Sequence, residues 1–237
     1  GRVEKPPNGS DQTTLSRIDE LGFPAGFPTN SFPIAQMYHG SRLEPKGFTR
    51  VHHLFLPRAR HALSALWRKA NEVTDPRLRA MVLFAVEQTI WGMSLLNRYG
   101  PTHYSQVNRF LSGVYYVGSQ ISEVSPWYIL DGKTRRLHKA FAGLQTRRDG
   151  TAITTQSATA LQLPPNSIDY IFTDPPFGEN IYYADLNYLV ESWHGVLSNS
   201  QPEAIIDRAK RKKLADYQEL MRATFQCYFE ALKPGRW

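Results

Sequence analysis

The stretch SIDYIFTDPPFG, residues 167–178, decides the expected fold of the chain. Its first eight residues, SIDYIFTD, form a short apolar run, which is typical of a buried strand in a parallel sheet. The two consecutive prolines that follow remove two backbone donors, so the strand must end there in a rigid loop. Because open α/β sheets bind ligands at the carboxyl ends of their strands, the stretch predicts a ligand-binding loop over 174–178.

The segments around this stretch favour an α/β arrangement. Residues 151–156 are β-prone, an amphipathic pattern predicts a helix over 182–197, and a final helix is expected over 214–232, where a Pro-Gly pair ends it. Strands followed by helices in this order are typical of a doubly wound sheet. We therefore expect residues 151–237 to be a partial α/β core with a Rossmann-like fold.

The first 150 residues predict helical and irregular structure. Residues 1–50 are rich in Pro and Gly, which predicts an irregular lead-in. Residues 51–150 predict a mainly helical insertion or recognition region, with irregular or strand-like structure over 110–130. Its helices are expected over 54–73, 77–99 and 131–144. Asp75 and Pro76 form an N-cap and N1 pair at the start of the second of these helices.

Composition limits the class of protein. The 237 residues are 41% hydrophobic, which is enough for a packed core and excludes a wholly disordered chain. The net charge of +7 favours polyanionic partners. The single cysteine, Cys227, excludes a disulfide framework and a CxxC zinc site, and the histidines lack metal-ligand spacing, so no metal is expected. No apolar run is long enough to span a bilayer, and the first ten residues, GRVEKPPNGS, contain no apolar region of the signal-peptide kind, which predicts a cytoplasmic protein without membrane contact.

The loop that follows the predicted strand carries the chemistry. Asp174 offers a carboxylate and Pro175 a backbone carbonyl, so two acceptors can point at one polar group, while Phe177 offers a flat apolar face beside them. These groups suit an exocyclic amino group on a planar ring. The alternative is an ordinary turn at a strand end, with a solvated Asp174 and a core Phe177.

Residues 166–195, NSIDYIFTDPPFGENIYYADLNYLVESWHG, resemble the motif IV region of amino-group methyltransferases that use S-adenosylmethionine, and more narrowly adenine-specific DNA methylases. HHLFLPRARHALSALW and FEALKPGRW are similar to stretches of the same group. The resemblance implies that a methyl group is transferred from S-adenosylmethionine to adenine N6 in DNA, and that this loop binds the target amino group. Its implied catalytic residues are Asp174, Pro175, Pro176 and Phe177. Its implied cofactor-binding residues are Ser157, Thr173 and Asp174.

Further residues are candidates for contacts with nucleic acid. Phe177 would stack on the extruded base, and Tyr182 and Tyr183 would wall its pocket, although both tyrosines equally suit helix packing. Arg211, Lys212 and Lys213 belong to the densest positive run and would contact phosphates, or else form a solvated face. DNA is the expected partner, and RNA is possible.

One feature of the methyltransferases is missing from this sequence. They hold the methyl donor with a glycine-rich loop after their first strand, and no such loop occurs here. The chain is therefore expected to be a methyltransferase fragment, partnered by the cofactor-binding part of the same polypeptide, which lies outside residues 1–237. Two alternatives stay open: an RNA guanine-N2 methyltransferase, and a non-catalytic nucleic-acid-binding module derived from a methyltransferase.

Overall fold

The structure is a computed structural model, and it describes residues 5–37, 40–100, 106–107, 115–143 and 150–237. These residues are mostly helical. The α-helices are α1 Gly9–Asp19, α2 Gly40–Leu43, α3 Pro57–Asn71, α4 Pro76–Glu87, α5 Pro126–Ala142, α6 Tyr183–His194 and α7 Leu214–Ala231. Short 3₁₀ helices lie at Ile34–Gln36, Glu44–Lys46 and Val51–Leu54. Strand β1, Asn97–Arg98, pairs antiparallel with β2, Gln106–Val107.

The chain divides into two compact units. The first unit comprises Gly1–Ile34, His39–Leu144 and Leu189–Val196. The second unit comprises Ala35–Tyr38, Gln145–Tyr188 and Leu197–Trp237. The loop over 174–178 and helix α7 both belong to the second unit.

The first unit has an aromatic core. The ring of Phe27 lies 5.2 Å from that of Phe55 and 4.7 Å from that of Trp193, measured between centroids, and both pairs are edge-to-face. This geometry stabilises aromatic pairs beyond the area they bury. Leu63 of α3 and Ile90 are also buried. The unit is therefore stabilised mainly by apolar packing.

Helix α4 confirms the predicted start and corrects the predicted end. The Asp75 carboxylate accepts a hydrogen bond from the Leu78 backbone N–H at 2.7 Å, as an N-cap does. The helix ends at Glu87, although helix was expected over 77–99. Beyond it the hydroxyls of Thr89 and Ser94 donate to the carbonyls three residues before them, at 2.7 and 2.8 Å. Such local bonds compete with a continuing helix, which explains the early end.

Two other helices differ from the expectation. Helix α1 forms inside the predicted irregular lead-in, because Asn8 and Asp11 build a capping box: each side chain accepts from the other's backbone N–H, at 3.1 and 2.9 Å. Helix α5 begins at Pro126, so it includes a segment that was expected to be irregular or strand-like. Proline at N1 favours the start of a helix, and Pro126 is such a signal for α5 that hydrophobic periodicity does not detect.

The prediction of an α/β, Rossmann-like methyltransferase fold is wrong, because the chain is mostly helical and the expected strand does not form. Ile168 makes one isolated parallel bridge, to Leu232. Among the described residues, the only backbone partners of 167–174 come from 231–237, whereas a buried parallel strand needs a neighbour on each side. The side chains of Tyr170 and Phe172 are accordingly 67% and 83% exposed. Residues 151–156 form no strand either.

Candidate functional site

The sequence itself fixes the backbone at the start of the 174–178 loop. The rings of Pro175 and Pro176 hold φ near −65°. Asp174 and Pro175 each precede a proline, which restricts their ψ to extended values. The directions of the carbonyls of Asp174 and Pro175 are therefore set before any tertiary contact forms.

The next three carbonyls of the loop are held by hydrogen bonds. The Tyr217 hydroxyl donates to the Pro176 carbonyl at 2.8 Å. The backbone N–H of Asn180 donates to the Phe177 carbonyl at 3.2 Å, and that of Ile206 donates to the Gly178 carbonyl at 3.1 Å. Gly178 has φ +60°, a left-handed conformation that glycine adopts without strain. The loop is thus rigid over 176–178.

The acceptors at the start of the loop are open. Among the described residues, neither the Asp174 carboxylate nor the Pro175 carbonyl has a hydrogen-bonding partner, and Asp174 forms no ion pair there. Asp174 is exposed, and the ring of Phe177 is 68% exposed. Phe177 therefore lies on the surface and is not a core residue. The four-residue sequence Asp174-Pro175-Pro176-Phe177 thus carries an exposed carboxylate, an unbonded carbonyl and an exposed aromatic ring at positions 174, 175 and 177.

A groove adjoins this loop. Its volume is about 670 Å³, and Pro175 forms part of its wall. Helix α7 supplies the remaining lining in two rows. One row is Tyr217, Met221 and Phe225, and the other is Gln218, Arg222 and Gln226. Each row repeats every four residues, which places its members along one side of the helix. The groove therefore offers an apolar, partly aromatic surface edged by amides and one guanidinium.

Residues 201–217 form hydrogen bonds to the loop, and we call them the clamp segment. Besides Ile206 and Tyr217, it includes Glu203, whose carboxylate accepts from the Ala184 N–H at 3.2 Å at the start of α6. A carboxylate at a helix N-terminus is stabilised by the helix dipole. The clamp segment thus contacts the chain at the loop and directly after it.

A buried ion pair organises the clamp segment. The Lys210 ammonium lies 3.0 Å from the Asp207 carboxylate and 3.7 Å from that of Glu203, and the side chains of Lys210 and Asp207 are 1% and 0% exposed. The other oxygen of Asp207 accepts from the Ala209 N–H at 2.9 Å. Because a buried charge without a partner is strongly destabilising, loss of either member of this pair would disturb the clamp segment.

The three basic residues predicted to contact phosphates fall into two classes. Arg211 and Lys213 are exposed, and Arg211 has φ +57°, in a turn. Lys212 is turned inward: its ammonium donates to the carbonyls of Gln201, at 2.9 Å, and Glu203. Burial lowers the pKa of Lys212 from its usual value. Arg211 and Lys213 keep their side chains available to a polyanion, whereas Lys212 bonds within the clamp segment.

The residues expected to bind the cofactor do not lie together around a binding pocket. The Ser157 hydroxyl lies 2.8 Å from that of Thr159, its neighbour in the chain, and forms no hydrogen bond to the 174–178 loop. Thr173 is exposed. Cys227 is half-buried, and its thiol donates to the Thr159 carbonyl at 3.2 Å.

The two tyrosines after the loop have different surroundings. Tyr182 is buried, as expected of a packing residue. Tyr183, the first residue of α6, is 42% exposed and can reach a ligand. Sequence reasoning did not find Tyr217 as part of the site, because it appears there only as one apolar position of the final helix. It also missed the buried Lys210; the Asp207–Lys210 spacing of three residues beside two isoleucines was the available signal.

Within the described ranges, no three His, Cys, Asp or Glu side chains are placed to hold a metal ion. None of the helices described above is long and apolar enough to cross a membrane. Comparison of the chain with protein-family models, with curated proteins and with solved structures found no match.

Proposed function

We propose that the 174–178 loop binds the exocyclic amino group of an unstacked nucleobase, and that the chain is the base-binding part of an adenine-N6 DNA methyltransferase. The observation that supports this most directly is the pair of open acceptors, the Asp174 carboxylate and the Pro175 carbonyl, beside the exposed ring of Phe177. An amino group has two N–H donors, and the loop offers one acceptor for each.

These acceptors suit the chemistry of an aromatic amine. Its lone pair is delocalised into the ring, so the nitrogen is a poor nucleophile. Two acceptors on its hydrogens favour a pyramidal nitrogen, and the Asp174 carboxylate stabilises the positive charge that develops there during methyl transfer. The base must leave the helical stack to reach the loop, at a cost of a few kcal/mol. Stacking on Phe177 would return about 1–3 kcal/mol.

The methyl donor of such a reaction would be S-adenosylmethionine, which carries the methyl group on a sulfonium. The described residues form no cradle that fits it, because the Ser157 hydroxyl bonds to Thr159 and no glycine-rich turn adjoins the loop. The proposal therefore concerns the acceptor base alone. Exposed Arg211, Lys213 and Arg222 would attract the phosphates of the same strand.

Binding of matched oligonucleotides tests the proposal. We expect the full chain to bind a single-stranded DNA with one central adenine about tenfold more tightly than the same strand with purine or N6,N6-dimethyladenine there, because neither analogue has an N–H to donate. Fluorescence anisotropy measures all three affinities. Equal affinities would contradict the proposal, and preference for a guanine-containing RNA would favour the guanine-N2 alternative.

Variants assign the effect to the loop. Asp174→Ala deletes one of the two acceptors, so it should remove the preference for adenine and leave the melting temperature unchanged, whereas Asp19→Ala, at an exposed aspartate of α1, should retain the preference. Phe177→Ala should weaken binding of all three strands equally, by about 1–3 kcal/mol. Transfer of label from S-adenosylmethionine to N6 of the adenine strand would show that the chain also binds the methyl donor; no transfer is expected, because the described residues form no cradle for that donor.

A further inference from the structure

The bond between Tyr217 and the Pro176 carbonyl links two parts of the second unit that are 41 residues apart in the chain. The hydroxyl donates at 2.8 Å, and the side chain is half-buried. Tyr217 lies in the first turn of α7. This turn is itself fixed, because the Asp216 carboxylate accepts from the Lys213 backbone N–H at 2.6 Å.

This bond acts on one backbone torsion that the proline rings leave free, ψ of Pro176. The position of a carbonyl oxygen is set by the ψ angle of its own residue. The proline rings fix φ of Pro175 and Pro176, and the following proline restricts ψ of Pro175, but ψ of Pro176 has no such restriction, since Phe177 follows it. The Tyr217 hydroxyl fixes that angle. The peptide plane between Pro176 and Phe177 is thereby oriented, and with it the backbone that carries the Phe177 ring.

The clamp segment gives this bond a rigid base. Asp207 and Lys212 exchange backbone hydrogen bonds at 3.1 and 2.8 Å, just before α7 begins. The buried Lys210–Asp207 pair holds the same turn. Ile206, whose N–H donates to the Gly178 carbonyl, directly precedes this turn, and Tyr217 follows it, so the two anchors of the loop lie on either side of one ordered turn.

We infer that Tyr217 is a positioning residue: its hydroxyl sets the orientation of the Phe177 ring relative to the open acceptors at Asp174 and Pro175. This inference rests on the proposed function of the loop as a base-binding site. Tyr217 acts through the loop, since its hydroxyl donates its hydrogen bond to the Pro176 carbonyl.

Fluorine NMR tests the positioning directly. The full chain is prepared with 4-fluorophenylalanine at position 177, in the wild-type sequence and with Tyr217→Phe, which deletes the hydroxyl and keeps the ring that lines the groove. We expect one narrow resonance in the wild type, and a shifted or broadened one in Tyr217→Phe. Tyr128→Phe, at an exposed tyrosine of α5 in the first unit, is the matched control and should match the wild type. An unchanged resonance in Tyr217→Phe would overturn the inference.

Discrimination between bases supplies the second readout. Tyr217→Phe should keep the wild-type melting temperature and affinity for the purine strand, while its preference for adenine over purine falls about fivefold, because the ring no longer holds the amino group against both acceptors. A changed resonance with full adenine preference would also overturn the inference. If the wild type itself shows no adenine preference, the proposed function fails, and the fluorine spectrum alone still decides whether Tyr217 positions Phe177.

Discussion

The two units differ in how far they bury their aromatic side chains. The first unit buries Phe27, Phe55 and Trp193, and the Phe27 ring contacts the other two. The second unit buries Tyr182 but leaves five other rings largely exposed, namely Tyr170, Phe172, Phe177, Phe229 and Trp237, whereas in the first unit Trp127 and Tyr128 are exposed to that degree. Burial of one such side chain stabilises a fold by about 1.5–3 kcal/mol, so the second unit gains less from apolar packing.

Directed polar contacts take a larger part in the second unit. The clamp segment is held by backbone bonds, by capping carboxylates and by the buried Lys210–Asp207 pair. Such contacts depend on angle as well as distance, so they fix individual carbonyls in a way that apolar packing does not. The difference separates a region built for stability from one that presents an ordered set of acceptors.

Matched phenylalanine truncations should give the largest contrast. Phe27→Ala creates a cavity in the first unit and should lower the free energy of unfolding by about 3–5 kcal/mol. Phe229→Ala removes a ring that is already 77% exposed, so its effect should stay within about 0.5 kcal/mol. Urea denaturation measures both. Similar losses would mean that Phe229 is buried in solution and that the contrast between the units is false.

A charge deletion should have the next largest effect. Asp207→Ala leaves the buried Lys210 ammonium without its nearest partner and should cost about 3 kcal/mol, the low end for a broken buried pair because Glu203 remains 3.7 Å away. Asp131→Ala breaks the exposed pair with Arg135 and should cost less than about 0.5 kcal/mol. A mild Asp207→Ala would show that the clamp segment does not depend on its ion pair.

The sequence predicted local features better than the fold. The Asp75 cap and helix α7 follow from propensities within a few residues, and both are confirmed. The predicted strand at 167–174 does not form. A buried strand needs hydrogen-bonded neighbouring strands, and the apolar pattern of one segment does not show whether they exist. The Asp-Pro-Pro-Phe loop could be located from sequence because proline acts on its own neighbours. Its anchor at Tyr217 could not, since that contact depends on the tertiary fold.

The smallest expected effect concerns the pH response of the first unit. His52 packs edge-to-face on Phe23 and His53, with centroid distances of 5.3 and 4.4 Å. Burial, together with the charges of His53, Arg60 and Arg50, lowers the pKa of His52 from its usual 6.5. As the pH falls through 6.5, the unfolded chain takes up a proton at this position before the folded chain does, so His52 lowers the stability of the fold. This loss is absent above that range and complete once the pH is below the pKa of the folded state.

His52→Gln should therefore flatten the fall in unfolding free energy between pH 7.5 and pH 5 by roughly 1 kcal/mol or less, because His52 is only partly buried. Urea denaturation at several pH values measures this fall. His138→Gln, at an exposed histidine of α5, is the control and should leave the slope as it is. Equal slopes in wild type and His52→Gln would mean that His52 titrates alike in both states. The surroundings of His52 would then be as open to water in the folded chain as in the unfolded one, and the contrast between a packed first unit and an exposed second unit would be weaker than the burial of Phe27 implies.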